Sequence, residues 1–305
     1  MKHFISLKDL SKKEILTLIS ESCAIKKNPL KFKNKLKGKY VGLLFEKPSL
    51  RTKTAFYIGS LQLGASPVYY SHHEIKLEKR ETISDVSRTL SNFLDGIVSR
   101  TFSHNTILEL AKFSSIPVIN GLSDFLHPSQ VLADLITIYE LKGDIKKLKV
   151  AYIGDGNNVC HSLIQAFSIL GGNLCVATPK EYSPSRNIVM EAKNHCSKSG
   201  AKINLMTSIQ EAAMDADVLY TDAWVSMGRE KERQGRKKAF KEFQINDKIL
   251  KLAKKGAIVM HCLPAHRGEE ITDSVIESKN SVVFAQAQNR LYSAKAILLY
   301  CLGQN

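Results

Sequence analysis

The chain has 305 residues, 44% of them hydrophobic, which is enough for two cores of about 150 residues each. Forty-four Lys plus Arg against 29 Asp plus Glu give a net charge of +15, which favours anionic partners, yet the excess is largely solvated lysine, as in Lys31 to Lys37, without the basic tail or interleaved aromatics of a nucleic-acid-binding protein. Six cysteines with no C-x-x-C pair suggest neither a disulfide framework nor a zinc ribbon but reduced thiols in a cytoplasm, and no apolar run approaches the roughly 18 residues of a membrane span.

In chain order, Ser11-Lys12-Lys13-Glu14 is a capping-box pattern ahead of Ile15, Leu16 and Ile19, which predicts an opening amphipathic helix. Strands are then predicted near 40–45, 66–70, 96–99 and 117–120, alternating with helices near 51–63, 82–94 and 105–113. Such alternation makes a parallel α/β unit. Pro128 opens a long apolar-periodic helix to about Leu141, and Gly143 ends it, which places a domain boundary there. A second alternation has strands near 149–153, 173–177, 202–206, 218–222, 258–262 and 282–284, with helices between them. Gln286 to Leu302 is helical by spacing and is expected to reach back to the first domain. There is no internal repeat and no low-complexity segment.

In open parallel sheets ligands collect past the carboxyl ends of the strands. After the first strand comes Phe45-Glu46-Lys47-Pro48-Ser49-Leu50-Arg51-Thr52-Lys53-Thr54, which reads as a phosphate seat. Ser49 falls near an N-cap, where unpaired backbone N–H groups and the helix dipole favour an anion. Arg51 and Lys53 add fixed charge, Arg with a planar fork. A capped helix with surface cations is the alternative reading, and the Gly-rich Walker pattern is absent. Further donors follow the next strands: His72 to Arg80, Arg100-Thr101, and Asn120 leading to His127-Pro128-Ser129-Gln130, in which His127 and Gln130 stand one turn apart.

Acids and amides follow the second-half strands, in Gly154-Asp155-Gly156-Asn157-Asn158, Asp222-Ala223-Trp224-Val225-Ser226-Met227-Gly228 and His261-Cys262-Leu263-Pro264-Ala265-His266-Arg267. Val159 replaces the third Gly of a dinucleotide fingerprint, so no such cofactor is expected. His261 and Cys262 are adjacent on a presumed strand and should point to opposite faces, so no metal site is expected either.

These five motifs, taken in order, resemble the ornithine carbamoyltransferases over nearly the whole chain. Ser49-Leu50-Arg51-Thr52 and His127-Pro128-Ser129-Gln130 resemble the motifs shared with aspartate carbamoyltransferases; the Asp222 to Gly228 and His261 to Pro264 runs resemble the ornithine branch, with Gly154 to Asn158 in support. The resemblance implies an α/β fold of two domains, each a parallel β-sheet flanked by helices, with the active site in the cleft between them. Residues 1–141 would bind carbamoyl phosphate, with the C-terminal helix 286–305 packed back on them, and residues 142–285 would bind ornithine. By motif, Ser49, Leu50, Arg51, Thr52, Lys76, Arg100, His127, Gln130, Cys262, Leu263 and Arg290 would hold carbamoyl phosphate. Asn158, Asp222, Ser226 and Met227 would hold ornithine, and Arg51, Arg100, His127, Asp222 and Cys262 would be catalytic. The implied reaction makes citrulline and phosphate in arginine metabolism, with no metal or organic cofactor; the alternative is another amine acceptor such as putrescine or N-acetylornithine. Family members are usually homotrimers in which a loop completes a neighbour's site, here His72 to Arg80. Three positions depart from the pattern: Leu50 for Thr, Lys53 for a second Arg, and Lys76 for Gln or His, beside Glu78 where Gly is usual.

Overall fold

The structure, a computed structural model, describes residues 1–75, 81–225, 228 and 230–303. The chain divides into two units, Met1–Ile136 with Gln288–Asn305, and Thr137–Ala287.

The first unit opens with α1 (Lys12–Lys27), started by the expected capping box: Ser11 accepts from Glu14 N while Glu14 accepts from the Ser11 backbone. It continues through β1 (Tyr40–Phe45), α2 (Arg51–Gln62), β2 (Ser66–Ser71), the short α3 (His72–Ile75), α4 (Ile83–Ser91), β3 (Gly96–Arg100), α5 (His104–Phe113), β4 (Val118–Leu122) and α6 (Pro128–Lys142). Its four strands are all parallel, in the order β2-β1-β3-β4. Ile5, Leu44, Ile83, Val86, Leu94, Ile97, Ile107, Leu110 and Val118 form a core between sheet and helices. The order in which strands are added across the sheet reverses between β1 and β3, so ligand-seeking loops should be those after these two strands.

The second unit runs β5 (Lys149–Ile153), α7 (Asn158–Leu170), β6 (Asn173–Ala177), α8 (Arg186–Ser199), β7 (Lys202–Met206), α9 (Ile209–Ala213), β8 (Val218–Thr221), α10 (Arg233–Phe240), α11 (Asp247–Leu252), β9 (Ile258–His261) and α12 (Asp273–Ile276), and α13 (Val283–Leu302) follows. Its sheet is parallel in the order β7-β6-β5-β8-β9, with the reversal between β5 and β8. Continuous apolar strands such as Val150 to Ile153 are buried on both faces, as a sheet covered by helices requires.

The strand expected at 282–284 does not form. Val283 is instead the first residue of α13, and pairing beside β9 shrinks to an isolated bridge between Val259 and Ser281. Three apolar residues running into a helical pattern without a Gly or Pro to separate them join the helix, whose hydrogen bonds are cooperative. The loop residues 76–80, and with them Lys76 and Glu78, lie outside the described residues.

Candidate active site

In the first unit four segments bring donors together. Ser49 Oγ accepts from Thr52 N at 3.1 Å, so this serine does the capping although the regular helix begins at Arg51. Leu50 turns its side chain to solvent. Arg100 ends β3 at a register shift against β4 and is buried. His127 and Gln130 are buried at the start of α6, and Arg290 is buried on α13. Arg290 donates through Nη2 to Thr52 Oγ1 at 2.8 Å and through Nη1 to Gln130 Oε1. Gln130 in turn donates to Asp134 Oδ1 at 2.8 Å.

The electrostatics follow from that crowding. Burial lowers the His127 pKa well below the usual histidine value, and the charges of Arg290, Arg100 and Arg51 push it further the same way. His127 is therefore a neutral imidazole at pH 7, with Ser129 Oγ 3.4 Å from its Nδ1. Three guanidiniums around one neutral histidine make an anion seat, and a planar fork suits phosphate. Lys53 is engaged by an aromatic ring: its Nζ lies 3.5 Å from the centre of the Tyr69 ring, a cation–π contact.

In the second unit the loops after β5, β8 and β9 form another cluster. Gly156 must be glycine, because a Cβ there would sit 2.4 Å from Pro184 N and 2.6 Å from Tyr182 O. Past it, Asn157 caps α7 and Asn158 is its first residue. Asp222 follows β8 with both oxygens held: Oδ1 accepts from Ala223 N at 2.8 Å and from Cys262 Sγ at 2.6 Å, and Oδ2 from Asn157 Nδ2 at 2.7 Å. Leu263 has φ +55°, an uncommon conformation for a bulky side chain, and its N–H donates to His261 Nδ1 at 2.8 Å. Ser226 and Met227 lie outside the described residues.

The expectation that His261 and Cys262 face apart is corrected by this geometry. β9 ends at His261, so the strand alternation no longer applies to Cys262, and donor atoms of Asp222, His261 and Cys262 lie within 4.8 Å of one another. Both imidazole nitrogens are nonetheless engaged, Nδ1 by the Leu263 N–H and Nε2 by Glu270 Oε1 at 2.9 Å. A second trio, His266, Glu269 and Glu270, has its Glu269 carboxylate ion-paired to Lys237 at 2.6 Å and to Arg233 at 3.2 Å. Protein cations already occupy that position.

Both clusters sit past the carboxyl ends of the strands that flank each reversal point, one rich in cations and one built around a carboxylate. Residues 2–140 match the family model described as "Aspartate/ornithine carbamoyltransferase, carbamoyl-P binding domain", and residues 146–301 match its companion, the "Asp/Orn binding domain". The chain belongs to the aspartate/ornithine carbamoyltransferase family. The ornithine carbamoyltransferase of Thermococcus kodakarensis is 46% identical over 301 residues, which cover 98% of this chain and 96% of that relative. The solved ornithine carbamoyltransferase of Pyrococcus furiosus superposes with a TM-score of 0.96 at 43% identity, covering 100% of this chain and 98% of that one. The anabolic ornithine carbamoyltransferase of Campylobacter jejuni gives 0.95 at 41%, covering 99% of each chain.

Several side chains that organise these clusters were not singled out by sequence. Asp134, Arg236 and Glu270 touch or brace the motif residues, yet each lies beside a motif or in a charged run that reads as surface; Asn157 falls within the Gly154 to Asn158 motif, but its contact with Asp222 has no local signal. For Asp134 a signal existed: it is one turn past Gln130, the one acid in the apolar stretch Val131 to Ile138.

Proposed function

We propose that this chain is an ornithine carbamoyltransferase, moving the carbamoyl group of carbamoyl phosphate to the side-chain amine of L-ornithine and releasing citrulline and phosphate. The observation that carries the acceptor choice is Asp222, a carboxylate oriented at both oxygens at the end of β8. It suits a free α-ammonium group, with which it makes a charge-assisted contact that an acetylated, uncharged nitrogen cannot match. On this reading residues 1–141, with the C-terminal helix, hold the donor and residues 142–285 the acceptor.

Ser49, Leu50, Arg51, Thr52, Arg100, Gln130 and Arg290 cradle carbamoyl phosphate, joined by Lys76 and by Cys262 and Leu263. The neutral His127 donates a hydrogen bond to the carbonyl oxygen as charge develops there, without bringing a second proton into the site. Asn158, Asp222, Ser226 and Met227 orient ornithine. The attacking amine must be neutral, and with a lysine-like pKa near 10.4 this costs about 4 to 5 kcal/mol at pH 7. One carbonyl-polarising donor contributes roughly 3 to 4 kcal/mol, whereas holding two reactants in register contributes about 7 to 11. Positioning therefore dominates. The tetrahedral intermediate collapses as the carbon–oxygen bond to phosphate breaks, and the departing phosphate takes up the amine's proton.

The deciding experiment is phosphate release from carbamoyl phosphate with ornithine, putrescine, N-acetylornithine and aspartate in parallel. Ornithine alone is expected to respond, and an equal rate with N-acetylornithine would overturn the acceptor assignment. We further propose a cytoplasmic homotrimer, in keeping with six free cysteines and with the absence, among the described residues, of a helix long and apolar enough to cross a membrane. Sedimentation gives the subunit number. Lys76→Ala should raise the carbamoyl-phosphate KM if residues 72–80 complete a neighbour's site.

A further inference from the structure

We propose that Asn157 is a positioning residue for the acceptor: it fixes the direction of the Asp222 carboxylate and so sets the affinity for ornithine. The inference rests on the reading of Asp222 as the partner of the substrate's α-ammonium group.

The polarity of the Asn157 amide is dictated by its surroundings. Its Oδ1 accepts from the backbone N–H groups of Val159 at 3.0 Å and Cys160 at 3.1 Å, and lies 3.3 Å from the Tyr152 hydroxyl. Two of these neighbours can only donate, so the oxygen must face them and the amide nitrogen must face away. On that side stands Asp222, whose Oδ2 takes the Nδ2 hydrogen at 2.7 Å. The other oxygen, Oδ1, is held separately by Ala223 N and Cys262 Sγ. One side chain thus caps α7 with its oxygen and aims the carboxylate with its nitrogen.

These two roles can be separated, because Asp and Ser cap helices about as well as Asn does. In Asn157→Asp the cap remains, but a carboxylate oxygen replaces the donor and meets Asp222 Oδ2 at hydrogen-bond range. Two carboxylates that close cannot both ionise freely. The other titratable groups around the pair are Tyr152 on β5, Asp155 in the loop, Cys160 on α7, and His261 and Cys262 at the end of β9; the nearby guanidinium of Arg236 is already engaged by Asp155 and Glu232. None relieves the repulsion. A shared proton can, and it restores a donor between residues 157 and 222 at lower pH.

The test compares steady-state kinetics of wild type, Asn157→Asp and Asn157→Ser at pH 6 and pH 8. At pH 8 the ornithine KM should rise about ten- to a hundred-fold in Asn157→Asp, the change expected for a lost charge-assisted hydrogen bond. The ratio to wild type should narrow at pH 6, while the carbamoyl-phosphate KM and the melting temperature stay near wild type. Asn157→Ser keeps the cap with a hydroxyl too short to reach Asp222, so it should raise the ornithine KM at both pH values. If Asn157 is only a cap, both variants will match wild type, and that result overturns the proposal. Failure of both variants to fold would overturn it equally, by making the residue structural. Absence of ornithine turnover in the wild type is a different result, since it removes the functional reading itself.

Discussion

Cys262 Sγ donates to Asp222 Oδ1 at 2.6 Å, so the thiol after β9 and the carboxylate after β8 act as one unit. The contact arises because β8 and β9 are parallel neighbours paired as Thr221 with His261, which sets the next residue of each strand side by side. Cys262 accordingly orients Asp222. Removing the donor in Cys262→Ala should lower kcat/KM for ornithine by about ten- to a hundred-fold, the equivalent of roughly 1.5 to 3 kcal/mol. Cys262→Ser retains a donor and should lose less than tenfold. Equal losses in the two variants would show that the sulfur itself takes part in the chemistry.

Arg51 stands in the first turn of α2, half-exposed, where its charge helps to lower the His127 pKa and it contributes little to the core. Arg51→Ala should cut kcat/KM for carbamoyl phosphate by about a hundred- to a thousandfold, in the range of a lost transition-state donor. Thermal unfolding should change by no more than a surface substitution does, about 0.5 kcal/mol. Near-normal turnover in this variant would remove the anion seat from the active site.

The neutral state of His127 has a consequence for stability. Its folded pKa lies well below the ordinary 6.5, so above pH 6.5 neither folded nor unfolded chain carries the proton, and the full stability is present. Below pH 6.5 the unfolded chain binds a proton that the folded chain refuses, and stability falls by about 1.4 kcal/mol per pH unit for this one group. His3 and His104, also lowered chiefly by burial, act in the same direction. Urea unfolding of His127→Gln between pH 7.5 and 5.5 should therefore show a shallower fall than wild type. Parallel slopes would mean that His127 titrates normally.

The alternation of strand and helix was legible because β-strand runs such as Val150 to Ile153 and helix spacings such as Val131 to Ile138 are strong, local patterns. The failure at residues 282–284 has the opposite cause: a three-residue apolar run carries no periodicity, and the adjoining helix absorbs it. Within the candidate site, the cations and Asp222 were readable because they punctuate strand ends. What sequence did not reveal was the bracing. Asn157 aiming Asp222, Asp134 holding Gln130 and Glu270 locking His261 depend on which loops the strand order makes neighbours. The order β7-β6-β5-β8-β9 puts residue 157 beside residue 222, 65 positions away, and no local pattern carries that distance.

Arg236 is buried, and its Nη1 holds Asp155 Oδ2 at 2.8 Å and the Trp224 carbonyl at 3.0 Å. Its Nε reaches Glu232 Oε2 at 2.8 Å, and the guanidinium lies 4.7 Å from the centre of the Tyr182 ring. This guanidinium fastens the loop after β5 to the segment after β8, the two loops that carry Asn157 and Asp222. Asp155→Asn leaves a buried cation with the Glu232 carboxylate, which is half-exposed and a weaker partner. Breaking a buried pair from one side costs about 3 to 5 kcal/mol, and the remaining Glu232 contact should hold the loss near the lower figure. Replacing both partners, as in Asp155→Asn with Arg236→Met, should cost less than the sum of the single changes, because no uncompensated charge is left inside. A double-mutant cycle by urea unfolding measures this coupling, and additive losses would show that the pair is not what joins the two loops. The single Asp155→Asn variant should also raise the ornithine KM more than the carbamoyl-phosphate KM, since the loop it loosens is the one that aims Asp222.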